Sequence, residues 1–150
     1  MAYKRGHKGK FRPTNPHKYK GNHSNIVYRS SWELKFMREC DLHPDIIQWN
    51  SEEVVVPYRS VIDGKLHRYF VDFWIKKKNN DIILVEIKPM GQAIPPVKKS
   101  RITKRYIEEV KTWGINISKW KAAEEYCHDR KWKFMVLTEK GEATAWRQML

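Results

Sequence analysis

The chain has 150 residues and a mass of 18.1 kDa, with 30 Lys plus Arg against 17 Asp plus Glu, a formal net charge of +13 and a pI near 9.8. An apolar content of 41% with 13% aromatics excludes a wholly disordered basic protein, and a chain of this size buries roughly two thirds of its unfolded surface without needing staples. No apolar run reaches the length of a membrane span, no apolar core follows the basic N-terminus as in a signal peptide, and Cys40 and Cys127 lack metal-type spacing and read as reduced. The partner such a charge favours is a polyanion.

No acidic residue precedes Glu33, whereas Lys4, Arg5, Lys8, Lys10, Arg12, Lys18, Lys20 and Arg29 all do. Gly6, Gly9, Pro13, Pro16 and Gly21 punctuate the same stretch. This pattern predicts a flexible basic arm over 1–25 ahead of a domain over 26–150. The arm suits nucleic acid, because each Lys or Arg placed on a phosphate releases counterions. A solubilising or protein-binding tail would have the same composition. A membrane surface is disfavoured, since the arm has no apolar helical face.

Ser30-Ser31-Trp32-Glu33 fits a capping box. Trp32, Phe36, Met37 and Cys40 continue it with helical spacing, so a helix is expected over 31–41, ending before Pro44. Three strands are expected next. The first, 53–59, carries Pro57 and so suits an edge or a bulge. The second, 66–75, is entered through the Asp63-Gly64 turn. The third, 81–88, is nearly continuous apolar and so suits a central strand covered on both faces. A loop holding Gln92 and Pro95-Pro96 follows. Helices are expected over 101–113, closed by Gly114, and over 118–129. A short strand over 133–138 completes an α/β fold: a mixed central sheet flanked by helices. Lys98, Lys99, Arg101, Lys104 and Arg105 crowd the expected helix start, against the macrodipole. That placement favours a phosphate-facing role over a merely solvated face.

The chemistry gathers on two strands. Asp72 interrupts an apolar run, Glu86 sits near the end of the next, and Lys88 shares its face two residues on. Carboxylates in such runs are costly unless paired or metal-bound. Converging at a sheet end, they would hold a hard cation such as Mg²⁺, with Lys88 orienting the attacking water. A structural ion pair of Lys88 with either carboxylate is the alternative. Helix, meander and crossover in this order match the restriction-endonuclease-like, or PD-(D/E)xK, nuclease core. Glu33 has two readings that spacing leaves open: half of the capping box, or a third acidic group at the metal. Arg29 beside it would pair with Glu33 or meet phosphate. Arg68 shares the parity of Asp72 and would face substrate, and Gln92 would lie in a loop beside the site. The six histidines show no zinc-type grouping. An RNA-binding role would explain the basic arm but not Asp72 and Glu86.

Four runs carry a resemblance: Asn15-Pro16-His17-Lys18-Tyr19-Lys20-Gly21, Tyr28-Arg29-Ser30-Ser31-Trp32-Glu33, His67-Arg68-Tyr69-Phe70-Val71-Asp72-Phe73 and Glu86-Ile87-Lys88-Pro89. With them nearly the whole chain resembles the head completion nucleases of T-even-type tailed phages. That family is similar to the TnsA-type branch of the PD-(D/E)xK endonucleases. The resemblance implies a Mg²⁺-dependent DNA endonuclease, Mn²⁺ substituting, with Glu33, Asp72, Glu86 and Lys88 in the site. It also implies a role in finishing the DNA-filled head, contact with head or portal and neck proteins, and location in the virion and, during assembly, the host cytoplasm. The proline that usually precedes the aspartate is Val71 here, and the position where TnsA relatives can carry Gln is Glu86. A DNA-binding head-completion protein that keeps the fold without catalysis is the alternative.

Overall fold

The computed structural model describes residues 5–150, with side chains from Lys8 onward. Strands β1 (Arg5–Phe11) and β2 (Ile26–Ser30) pair antiparallel and lead into helix α1 (Ser31–Leu42). Then come β3 (Ile46–Ser51), the hairpin of β4 (Val55–Arg59) and β5 (Leu66–Phe70), and β6 (Phe73–Lys77) with β7 (Ile82–Ile87). Helix α2 (Lys104–Arg130), β8 (Lys133–Thr138) and β9 (Gly141–Ala143) follow. The main sheet has the order β3-β6-β7-β8-β9, with only the β7–β8 pair parallel.

Strand β7 is central because both its faces are apolar. Alternation sends Ile83, Val85 and Ile87 into one core and Leu84 into the other. The first core is closed by α1 through Met37 and Cys40, with Phe73 and Ile75 from β6. The second is closed by α2 through Trp120, Ala123 and Cys127, against Trp74, Phe134 and Trp146. Glu86 has the parity of Leu84, so it rises on the α2 side.

Four expectations meet a different arrangement. From Arg5 onward, the stretch marked as an arm is part of the fold rather than flexible. Phe11, Tyr19 and Ile26 are buried in the α1-side core, Tyr19 bridges Trp49, and the Lys20 N–H donates to the Trp49 carbonyl at 2.8 Å. The segment thereby covers the otherwise open edge of β3. Asp41 ties it down: its Oδ2 accepts from the Thr14 N–H at 2.7 Å and its Oδ1 from the Asn15 N–H at 2.9 Å. A Cβ on Gly9 would run into the hydroxyl end of Tyr28, so that side chain lies directly over the strand backbone.

Strand β3 was not expected. A register irregularity between Ile46 and Gln48 breaks the two-residue alternation that would have marked it. The expected strand over 66–75 is two strands in different sheets. Val71 still donates to the Val54 carbonyl at 3.0 Å, and the Asp72 carbonyl accepts from Glu52 at 3.1 Å, before the chain changes partners to β3. The three strands are therefore not one meander.

Gly114 does not end a helix either. A Cβ there would lie 3.2 Å from both Val61 and Ile62, so the residue admits the hairpin turn against one continuous α2. Ser118 fixes this contact, accepting from the Val61 N–H at 3.2 Å. Helix α2 ends instead at Lys131, in the left-handed region at φ 60°.

Asp41→Ala would leave two part-buried N–H groups without acceptors, at a cost of about 2 kcal/mol. Urea unfolding should show that loss; an unchanged midpoint would mean that the N-terminal segment is held by its apolar contacts alone.

Candidate active site

In the antiparallel β6–β7 ladder Phe73 faces Val85. One step further along, the same register sets Asp72 beside Glu86, at the point where the chain enters β6. The Ile87 N–H donates to Asp72 Oδ2 at 2.8 Å, holding the aspartate across the strand end. The Lys88 N–H donates to the Leu137 carbonyl at 3.0 Å, and its Nζ stands 3.7 Å from Glu86 Oε1. The Tyr69 hydroxyl donates to Glu86 Oε2 from the hairpin. Sequence spacing thus anticipated the meeting of Asp72, Glu86 and Lys88.

Glu33 enters from α1. Ser30 Oγ accepts from the Glu33 N–H at 3.0 Å, so the serine half of the capping box forms. The Glu33 carboxylate stays beside Ser30, with Oε2 3.4 Å from the serine hydroxyl, and close enough to Asp72 to push against its charge. The N–H of Glu33 thus opens the helix on Ser30, and its charge bears on Asp72. Arg29 pairs with Glu52, which spacing had not marked. Glu52 is left-handed at φ 57°, unusual without glycine, and its N–H on the Asp72 carbonyl ties the end of β3 to the site.

The charges oppose one another. Burial first, then Glu86 and Glu33, drive the Asp72 carboxyl well above its ordinary range. Burial also raises Glu86, against the opposing pull of Lys88, the Tyr69 hydroxyl and Lys119. Glu33 is raised by burial and by Glu52. Such a set of hard oxygens fits a hard divalent cation held by two carboxylates and completed by water. Among the described residues no group of three or more His, Cys, Asp or Glu stands ready-made as a metal cage, so the fit rests on the pair Asp72 and Glu86.

The basic residues divide. Lys4 lies outside the described residues, and so does the side chain of Arg5. Lys8, Lys10, Arg12 and Lys20 are exposed on the folded N-terminal segment, and Lys20 stands 5.0 Å over the Trp74 ring. Lys18 is not available to phosphate: it is buried, and its Nζ donates to the Asp41 and His43 carbonyls at 3.0 Å. Arg68 is exposed beside the Phe70 ring, 5.8 Å away. Lys98, Lys99 and Arg101 lie in the loop before α2, while Lys104 and Arg105 open the helix. Gln92, Lys99 and Arg105 share the wall of a groove of about 630 Å³.

Tyr69 and Lys119 were also missed. Alternation along a single strand would have turned Tyr69 away from Asp72; the break after Phe70 brings it back to Glu86. Nothing in the spacing of α2 marks Lys119, whose Nζ lies 5.5 Å from the Tyr69 ring.

Because Asp72 is raised, the folded state keeps a proton that the unfolded chain releases at ordinary carboxylate pH. Stability therefore falls as pH rises from the ordinary pKa through the raised one. Without metal, Asp72→Asn should melt a few degrees above the native chain near neutral pH, and level with it near about pH 3. Equal melting at both would mean that the charge carries no strain.

The family model "TnsA-like endonuclease N terminal" matches residues 43–139, which include Asp72, Glu86 and Lys88. The chain is 43% identical over 145 residues to the head completion nuclease of Enterobacteria phage T4, covering 94% of each. No solved structure matches. A match over most of the chain, with Asp72, Glu86 and Lys88 inside it, shows that this chain belongs to the TnsA-like endonuclease family.

Proposed function

We propose that the chain is a Mg²⁺-dependent DNA endonuclease acting in phage head completion, with Mn²⁺ able to substitute. The observation that carries this is the convergence of Asp72, Glu86 and Lys88 at one end of the central strand pair. Asp72 and Glu86 would hold the metal, with Glu33 assisting from α1. When bound, the ion would lower the pKa of its water and polarise the scissile phosphate. Lys88 stands beside Glu86, where its ammonium can orient the attacking water and offset charge growing on the phosphate. Arg29 sits at the same end, paired to Glu52.

Lys8, Lys10, Arg12, Lys20, Arg68, Gln92, Lys98, Lys99, Arg101, Lys104 and Arg105 would track the DNA backbone, which positions a duplex without reading its sequence. The phage T4 relative is named for head completion. By that likeness the chain would work on packaged DNA, touch head or neck proteins, and occupy the virion and the host cytoplasm during assembly.

Cleavage of plasmid and linear DNA with Mg²⁺ or Mn²⁺ tests the reading. Asp72→Ala and Lys88→Ala should each lose about a hundredfold or more in rate while still binding DNA. A native chain that binds tightly but never cuts would leave a DNA-binding head-completion protein. The joint variant Lys8→Gln, Lys10→Gln, Arg12→Gln should flatten the log–log salt dependence of binding by roughly 0.9 per lost phosphate contact. An unchanged slope would remove this segment from the DNA interface.

A further inference from the structure

Glu86 is approached from behind by two residues that neither motif spacing nor the proposed roles use. Tyr69 is buried at 3% exposure, and its hydroxyl donates to Oε2 of a Glu86 that is itself 6% exposed. Its own backbone is fixed opposite Val56 in the hairpin. Lys119 comes from α2, with Nζ 5.5 Å from the Tyr69 ring and 6.0 Å from that of Tyr58, and its charge acts on Glu86. The other carboxylate oxygen, Oε1, is the one nearest Lys88.

We propose that Tyr69 and Lys119 are positioning residues for Glu86, the hydroxyl holding Oε2 so that Oε1 is presented to Lys88 and the metal. The inference rests on the metal-nuclease reading. A glutamate carboxylate on a strand end has three side-chain torsions free to turn it. A donor from the hairpin and a cation from the helix give it one orientation, in the way that groups behind a ligand commonly orient it. The arrangement also ties the site to the packing of hairpin on α2: Gly114 and Ser118, which admit and hold the hairpin turn, lie on the same helix as Lys119.

Tyr69→Phe removes the hydroxyl and leaves the ring. Mn²⁺ binding followed by electron paramagnetic resonance should weaken about 10–100-fold, with cleavage needing correspondingly more metal and reaching a lower plateau. Metal-free DNA binding should be unchanged. Lys119→Met should act in the same direction, and Lys119→Arg should recover most of the loss. Thermal melting accompanies each variant, so that a folding defect is seen directly. A native chain that binds Mn²⁺ and cleaves, beside a folded Tyr69→Phe with the same Mn²⁺ affinity and metal dependence, would overturn this inference alone. A native chain that neither binds Mn²⁺ nor cleaves would overturn it together with the nuclease reading.

Discussion

The site depends on one register. Because Phe73 pairs with Val85, Asp72 and Glu86 come side by side at the end of a largely buried strand pair. Two carboxylates in that position repel each other and lose solvation together. A shift of one residue would send Glu86 into the core under α1 and set Val85 beside Asp72 in its place. The apolar faces of β7 prevent that shift. Burial by α1 on one side and α2 on the other therefore sets the alignment of the acidic groups as well as the stability of the fold.

The same core sets what surrounds the carboxylates. Layers on both faces of the sheet allow groups to reach Glu86 and Asp72 from independent elements. Glu33 comes from α1, Lys119 from α2, Tyr69 from the hairpin, and Glu52 from the end of β3. Each is held by its own local chemistry: the Ser30 cap, the continuity of α2 through Gly114, the β4–β5 pairing, and a left-handed backbone at Glu52. The charge repulsion at the centre works against the folded state, and the large apolar layers offset it.

The N-terminal segment joins charge to structure in an unexpected way. Its composition is that of a solvated tail, yet from Arg5 it is sewn onto α1 and β3 through Asp41 and Trp49. Lys8, Lys10 and Arg12 are consequently presented from a folded surface rather than from a loose chain. Cations held in place lose less freedom on meeting a phosphate backbone than the same cations on a disordered segment. Lys18 shows the other outcome, a basic residue whose charge serves the fold.

Local pattern was enough for several parts of this molecule. The capping serine and the apolar spacing after it set α1, whose observed range ends one residue beyond the expected 41. The unbroken apolar run set β7 as a covered central strand, and the polar residues interrupting such runs marked Asp72, Glu86 and Lys88. These are features of neighbouring residues, and periodicity reports them. What periodicity could not report was decided by contacts between distant segments. The exchange of partners after Phe70, the passage of α2 through Gly114, the docking of 5–25 on Asp41, and the approach of Tyr69, Lys119 and Glu52 each depend on a group far away in the chain. The amino-acid sequence by itself determined which residues stand out as candidates for the chemistry, because a charge in an apolar strand is conspicuous locally. Only the tertiary structure decided what holds them, because an acceptor or a ring becomes a partner only once the chain has brought it near.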